Sequence, residues 1–241
     1  VVGEYALCAQ LLKAAGKTNE IIEQAEWPLR VLPPGPAVEA RLDEFGNLLI
    51  NGVPLFVRGW YGSLQYMVSA ASAVGPQLPH STNFMMGCDE AQAVDLGLYT
   101  LVGVTGLIDE AKAKRDQPLD EDLKQKLRQA ISQARRQRNV IGYYISDEPE
   151  CRGLSPFFLR SVWEFMARED PYRFCMIVSR DPARYINSCD VICPHPYMNP
   201  MRDENGQRSF GNVLSAIHRD ISTGVAANDG SKAVWSMPQT F

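Results

Sequence analysis

Two carboxylates, Asp147 and Glu148, stand side by side in the stretch Val140-Ile-Gly-Tyr-Tyr-Ile-Ser-Asp-Glu-Pro-Glu150. Apolar and aromatic residues run from Val140 to Ile145, both acids then arrive together, and Pro149 stops further sheet pairing. Neighbouring carboxylates at the end of a buried strand are costly unless they are hydrogen-bonded or paired. A carboxyl group held there can donate and recover a proton, which is general acid and base chemistry. The bland reading of Glu148 is an exposed helix-start acid that complements a helix dipole. The preceding strand favours the chemical reading, because it carries Glu148 to the strand end where parallel α/β barrels keep their catalytic groups. Asp147 reads equally well as a direct participant and as a structural acceptor that fixes its neighbour.

Other elements must position these groups. Strand-like runs fall near 55–61, 82–88, 99–107, 140–146, 173–179, 190–195 and 233–239. Helical patterns fall near 64–74, 89–96, 119–137, 155–168, 182–188 and 209–222. The clearest helix places Leu123, Leu127, Ala130, Ile131 and Ala134 on one face. Ser155-Pro156 supplies an N-cap followed by proline at the first helical position. Alternating strands and helices predict an α/β fold, a parallel sheet with helices outside it. Seven such strands lead to a (β/α)8 TIM-type barrel that is incomplete, its eighth strand missing from the chain. The alternative is an open doubly wound sheet, which lacks here the Gly-rich phosphate loop after its first strand.

Residues 1–36 differ from the rest. Tyr5 to Leu12 and Ile21 to Leu32 are strand-like on either side of Ala14-Ala-Gly-Lys-Thr18, although Ala-rich Leu11 to Ala15 also suits a helix. A lone hairpin is marginal, so this segment is expected to be the end of a β-sandwich, with Pro33-Pro-Gly-Pro36 as linker. The truncated barrel domain then covers 37–241. Near its start, Phe45-Gly46-Asn47 and Asn51-Gly52 mark two turns between short strands.

Composition narrows the classes. Of 241 residues, 45% are hydrophobic and 22% charged, which is a globular balance. The net charge is -4, and the densest basic cluster, Arg135-Arg136-Gln137-Arg138, closes a helical pattern whose dipole it complements. Nucleic acid is therefore not an expected partner. No apolar run reaches the roughly 18 residues of a membrane span. Six cysteines without a C-x-x-C pair, and histidines only at 80, 195 and 218, argue against structural zinc, and no metal or cofactor is expected. Cysteines inside strand-like runs, such as Cys175, read as buried thiols.

Converging strand ends would form a mouth from Trp60 and Tyr61, Cys88, Asp89 and Glu90, Asp109 and Glu110, Asp147 and Glu148, Ser179 to Asp181, His195 and Tyr197, and Trp235 and Gln239. Such a mouth is rich in carboxylates and aromatics and suits a carbohydrate substrate. Sugar C–H faces stack on rings, and hydroxyls bind acids and amides. Splitting a glycosidic bond needs one acid to protonate the leaving oxygen and a second group at the cation-like centre. Glu148 and Asp147 are the catalytic expectations. Trp60, Tyr61, Asp89, His195, Tyr197, Trp235 and Gln239 are the substrate-binding ones. Bland readings stand beside several of these residues. Asp109-Glu110 reads as solvated, Asp181-Pro182 as a helix N-cap, the aromatics as core, and His195 as a hydrogen-bonded loop residue.

Asn47-Leu-Leu-Ile-Asn-Gly-Val-Pro-Leu-Phe-Val-Arg-Gly-Trp-Tyr61 resembles the lead into the first barrel strand of clan A glycoside hydrolases. Val140 to Pro149 resembles their fourth strand, Cys189-Asp-Val-Ile-Cys-Pro-His-Pro-Tyr197 their sixth, and Ala233-Val-Trp-Ser-Met-Pro-Gln239 their seventh. A sandwich feeding a barrel is similar to the β-galactosidase and β-glucuronidase group. The resemblance, from about residue 41 to 241, implies a glycosidase with Glu148 as acid/base. It also implies a secreted or periplasmic location. The missing eighth strand, for its part, predicts further domains or another chain covering the open barrel edge. Two positions depart from the pattern. Asp147 replaces the usual Asn, and Gln239 stands where the nucleophilic glutamate belongs. The Asp147-Glu148 pair also resembles substrate-assisted N-acetylhexosaminidases, in which the aspartate orients an attacking acetamido group. A non-catalytic carbohydrate-binding or inactive fragment is the third reading.

Overall fold

The computed structural model describes residues 2–15, 18–62, 83–86, 93, 95, 97–110, 119–196, 201–202, 208–209, 211–230 and 232–237. The chain divides into two compact units, Val1–Pro36 and Ala37–Phe241. In the first, β1 (Gly3–Ala15) and β2 (Thr18–Val31) pair antiparallel, so Leu11 to Ala15 is strand and not helix. Pleating puts Tyr5 opposite Leu29 and Leu7 opposite Trp27 on one face. Glu4 with Arg30, Cys8 with Glu26 and Gln10 with Gln24 make the other, polar face.

The second unit opens on an antiparallel meander, β3 (Ala40–Leu42), β4 (Leu48–Ile50) and β5 (Val53–Leu55). Asn51 and Gly52 both take positive φ, 50° and 80°, the two-residue turn that matches the twist of its strands. At the other turn, Asp43 Oδ1 accepts the Phe45 and Asn47 N–H groups, and Oδ2 accepts the Asn47 amide.

Seven strands then pair in parallel, each with the next in the chain. They are β6 (Gly59–Tyr61), β7 (Phe84–Met86), β8 (Thr100–Gly103), β9 (Val140–Asp147), β10 (Phe174–Ser179), β11 (Val191–Pro194) and β14 (Ala233–Val234). Among the described residues, a single bridge from Phe84 to Tyr99, the residue before β8, joins β7 to that strand. Between β11 and β14 lie the short antiparallel pair β12 (Met201–Arg202) and β13 (Arg208–Ser209). The order never doubles back, as a doubly wound sheet would. Among the described residues, no pairing joins β14 back to β6.

Around the strands lie α1 (Thr105–Glu110), α2 (Glu121–Ala134), α3 (Pro149–Arg152), α4 (Pro156–Glu169), α5 (Pro182–Tyr185) and α6 (Gly211–Ala227). Ser155 caps α4, its hydroxyl accepting the Phe158 N–H, as the Ser-Pro pair foretells. On the helix side of the sheet, Tyr143, Ile145 and Ile177 pack on Leu123, Leu127 and Leu159. On the inner side, Ile141, Tyr144, Met176 and Val178 share a core with Val38, Ala40, Leu48 and Ile50. Burial on both faces explains the unbroken apolar run of β9. Each large aliphatic side chain buried there contributes about 1.5–3 kcal/mol.

Two element boundaries differ from expectation. The run near 55–61 is two strands, because Val53–Leu55 turns back on β4 and Gly59 begins a new pairing. The run near 99–107 ends at Gly103, and Thr105 opens a helix in which Ile108 N–H bonds Val104 O. The helical patterns near 64–74 and most of 89–96 lie outside the described residues. Among the described residues, no helix is long and apolar enough to cross a membrane.

Candidate active site

Strand β9 delivers its two acids through a bulge. Its pairing with β10 runs Met176 to Tyr144 and then skips to Ile177 with Ser146 and Val178 with Asp147. The extra residue re-aims the strand end, as bulges beside active sites do. Asp147 thereby pairs with Val178, a residue of the inner core, on the side where Tyr144 lies.

Asp147 is held from two directions. The Tyr61 hydroxyl donates to Oδ2 over 3.4 Å, and Arg152 approaches the same oxygen at 3.8 Å. Arg152 also pairs with Asp109, so one guanidinium stands between two carboxylates. Asp109 therefore sits in α1, not at a strand end, and is ion-paired rather than simply solvated. The Tyr61 and Tyr144 rings meet edge to face at 6.3 Å. Burial, and then the Asp147 charge, push both phenols above their ordinary range, so they remain proton donors.

Glu148 follows with φ 43° and ψ 59°, the left-handed conformation. A non-glycine residue pays roughly 1–2 kcal/mol there, and such strain clusters at functional sites. Its N–H still bonds Val178 O at 2.9 Å. Among the described residues its Oε1 is buried without a hydrogen-bond partner, and His195 Nδ1 faces it at 3.6 Å. Pro149 and the short α3 then turn the chain away.

Residues that sequence reasoning did not single out support this arrangement. Glu150 accepts the Ser179 hydroxyl at 2.9 Å and the Arg180 N–H at 2.7 Å, tying the mouth ends of β9 and β10 together. Ser179 Oγ in turn accepts the Asp181 N–H. Asp181 occupies the N-cap position of α5, but its side chain makes no capping bond. Arg152 and Glu150 carried one available signal, their place in the turn just after the acid pair.

A cavity of about 800 Å³ opens inside the sheet, lined by Phe56, Trp60, Tyr61, Phe84, Trp235 and Met237 among others. Tyr61 belongs to both places, since its ring lines the cavity and its hydroxyl reaches Asp147. Trp235 also stacks edge-on against Phe174 at 5.3 Å. The structure thus brings Tyr61 to Asp147 and His195 to Glu148, with Trp60 and Trp235 on the cavity wall. Asp89, Tyr197 and Gln239, with Cys88 and Glu90, lie outside the described residues. Asp147, Glu148 and His195 are not among the residues that line the cavity, and Tyr61 is the link between it and the acids. Carboxylates, phenols and an imidazole gathered in this way are groups that can exchange protons with a polar ligand.

No family model and no curated protein matches the chain. Solved structures do resemble it. An apo structure of Bacteroides uniformis β-glucuronidase 3 aligns at TM-score 0.51 and 15% identity over 98% of this chain and 30% of that one. Parabacteroides merdae β-glucuronidase aligns at 0.50 and 12% over 96% of this chain and 30% of that one. A β-glucuronidase from an uncultured Clostridium sp. aligns at 0.50 and 14% over 96% and 47%. The chain shares the fold of these glycosidases and spans 30–47% of their length.

Proposed function

We propose that the chain carries the acid/base side of a glycoside hydrolase site, at the C-terminal mouth of a (β/α) TIM-type barrel, with Glu148 as general acid and then base. The observation that carries this reading is the setting of Glu148. It ends the buried strand β9 in a strained left-handed conformation, with one carboxyl oxygen buried against an imidazole. No capping bond from its side chain accounts for that conformation. In the proposed step the glycosidic C–O bond breaks as the Glu148 proton passes to the leaving oxygen, a water oxygen bonds to the anomeric carbon, and the Glu148 carboxylate takes that water's proton. Trp60, Tyr61 and Trp235 offer rings to the sugar, and Asp89, Tyr197 and Gln239 complete its contacts. Residues 1–36 form the end of a β-sandwich, and further domains or another chain complete the wall beside β6 and β14.

A second reading rests on Asp147. Tyr61 and Arg152 fix its carboxylate, as an aspartate that orients a substrate's acetamido group requires. The acetamido oxygen would then attack in place of a protein nucleophile.

The test is Glu148→Gln assayed on a panel of chromogenic glycosides, beginning with β-glucuronides because three structural neighbours bear that name. Turnover should fall about 10²–10⁴-fold with ligand affinity nearly unchanged. Wild-type rates in the variant would remove the assignment. Sugar binding without any cleavage would instead favour a carbohydrate-binding domain.

A further inference from the structure

Glu148 and His195 come from strands on either side of β10, and both are hung on that strand's last carbonyls. The Glu148 N–H bonds Val178 O, and the His195 N–H bonds Ser179 O at 3.2 Å. Pro194 and Pro196 flank His195, so its backbone has little freedom, and Met237 N–H bonds Pro194 O from β14's side. The imidazole is 8% exposed. Its Nδ1 faces Glu148 Oε1 at 3.6 Å, longer than a hydrogen bond and within ion-pair reach. Catalytic contacts of this length commonly tighten when substrate arrives.

The geometry points to His195 as a positioning residue for Glu148, an inference that rests on the acid/base reading above. The imidazole backs Oε1, so the carboxyl is held with its other oxygen, Oε2, turned toward the leaving group. His195 was expected to contact substrate. In this arrangement it acts through Glu148 instead. An acid aimed by a neighbour loses rate when the neighbour is removed, but only where acid help is needed. That separates positioning from general structural support.

The full chain and its variants His195→Ala, His195→Asn and Glu148→Gln are compared on two glycosides of one sugar, with an alkyl and a dinitrophenyl leaving group. His195→Ala should lower kcat on the alkyl glycoside about 10–100-fold and on the activated one less than about 3-fold, with KM little changed. Asparagine, whose amide can stand where Nδ1 does, should recover most of the loss. Equal losses on both substrates overturn the inference and mark a structural role. If Glu148→Gln shows the leaving-group dependence and His195→Ala does not, this inference alone falls. If Glu148→Gln keeps full turnover, the acid assignment falls with it. A second readout needs no turnover. With three histidines in the chain, ¹⁵N-histidine spectra are simple to assign. Glu148→Gln should shift the His195 Nδ1 resonance and leave His218 in place, and an unmoved His195 signal overturns the contact.

Discussion

The hydroxyl of Tyr61 donates to Asp147 Oδ2 across the interior of the sheet, linking the first parallel strand to the fourth. Arg152 meets the same oxygen from the helix side. Asp147 is thus held by groups on two different elements.

If an acetamido group is the attacking nucleophile, Asp147→Asn should slow a 2-acetamido glycoside about 10–100-fold and hardly change one with a plain 2-hydroxyl. Tyr61→Phe should show a weaker form of the same bias. Matched substrate pairs measured by initial rates decide it. Equal effects on both sugars would discard assistance.

Glu148→Gly should stabilise the fold while removing activity. Relief of the left-handed backbone is worth roughly 1–2 kcal/mol, and the added unfolded-state freedom of glycine returns roughly 0.5–1. The net gain of roughly 0–1.5 kcal/mol should appear as a rise of up to about 6 °C in Tm. A Tm below the parent value would show that the conformation is not strained.

Asp190 is buried, and that burial raises its carboxyl above the ordinary range, while the Cys175 N–H bond partly offsets the shift. The sign follows from linkage. A folded pKa above the unfolded one means stability present at low pH and lost as pH rises through the folded value. Asp190→Asn keeps an acceptor for Cys175 and should remove that loss. Urea midpoints taken from pH 3 to pH 7 should therefore fall less steeply in the variant. Parallel curves for the two chains would sink the idea.

Gly59→Ala should disrupt β6. A Cβ at that position would collide with the Phe84 carbonyl oxygen, which is backbone and cannot step aside. Overpacking of this kind costs about 1–3 kcal/mol, and here it also displaces Trp60 and Tyr61. Denaturant midpoints of the parent and variant, with the Tyr61 dependence of activity, provide the check. An unaltered midpoint would contradict the close approach.

Much of the parallel sheet was legible because buried strands leave a plain trace. Val140 to Ile145 and Phe174 to Val178 are apolar on both faces, and Pro149 and Pro182 mark where each strand gives way to a helix. The turns at Gly46 and Asn51-Gly52 were equally plain, since few residues accept positive φ. Helix α1 was hidden because Val104 to Ile108 extends the strand-like run without a charged residue to break it. The acid pair could be found from composition at a strand end. Tyr61 and His195 were legible as members of the same set of strand ends, but which acid each one meets was not, because they come from distant parts of the chain. The left-handed turn at Glu148 also left no mark, as glutamate does not advertise that conformation.

The meander near the start of the second unit makes its decisive contacts with residues made much later. Ala40 N–H bonds Tyr172 O, and Gly46 packs against Ala233. On a ribosome, this segment emerges early and must wait for β10 and β14 before its inner face is covered. Contacts so far apart along the chain slow folding and prolong exposure of unpaired strands. Yield from the cell is therefore expected to depend more on chaperone supply during synthesis than on the stability of the finished molecule.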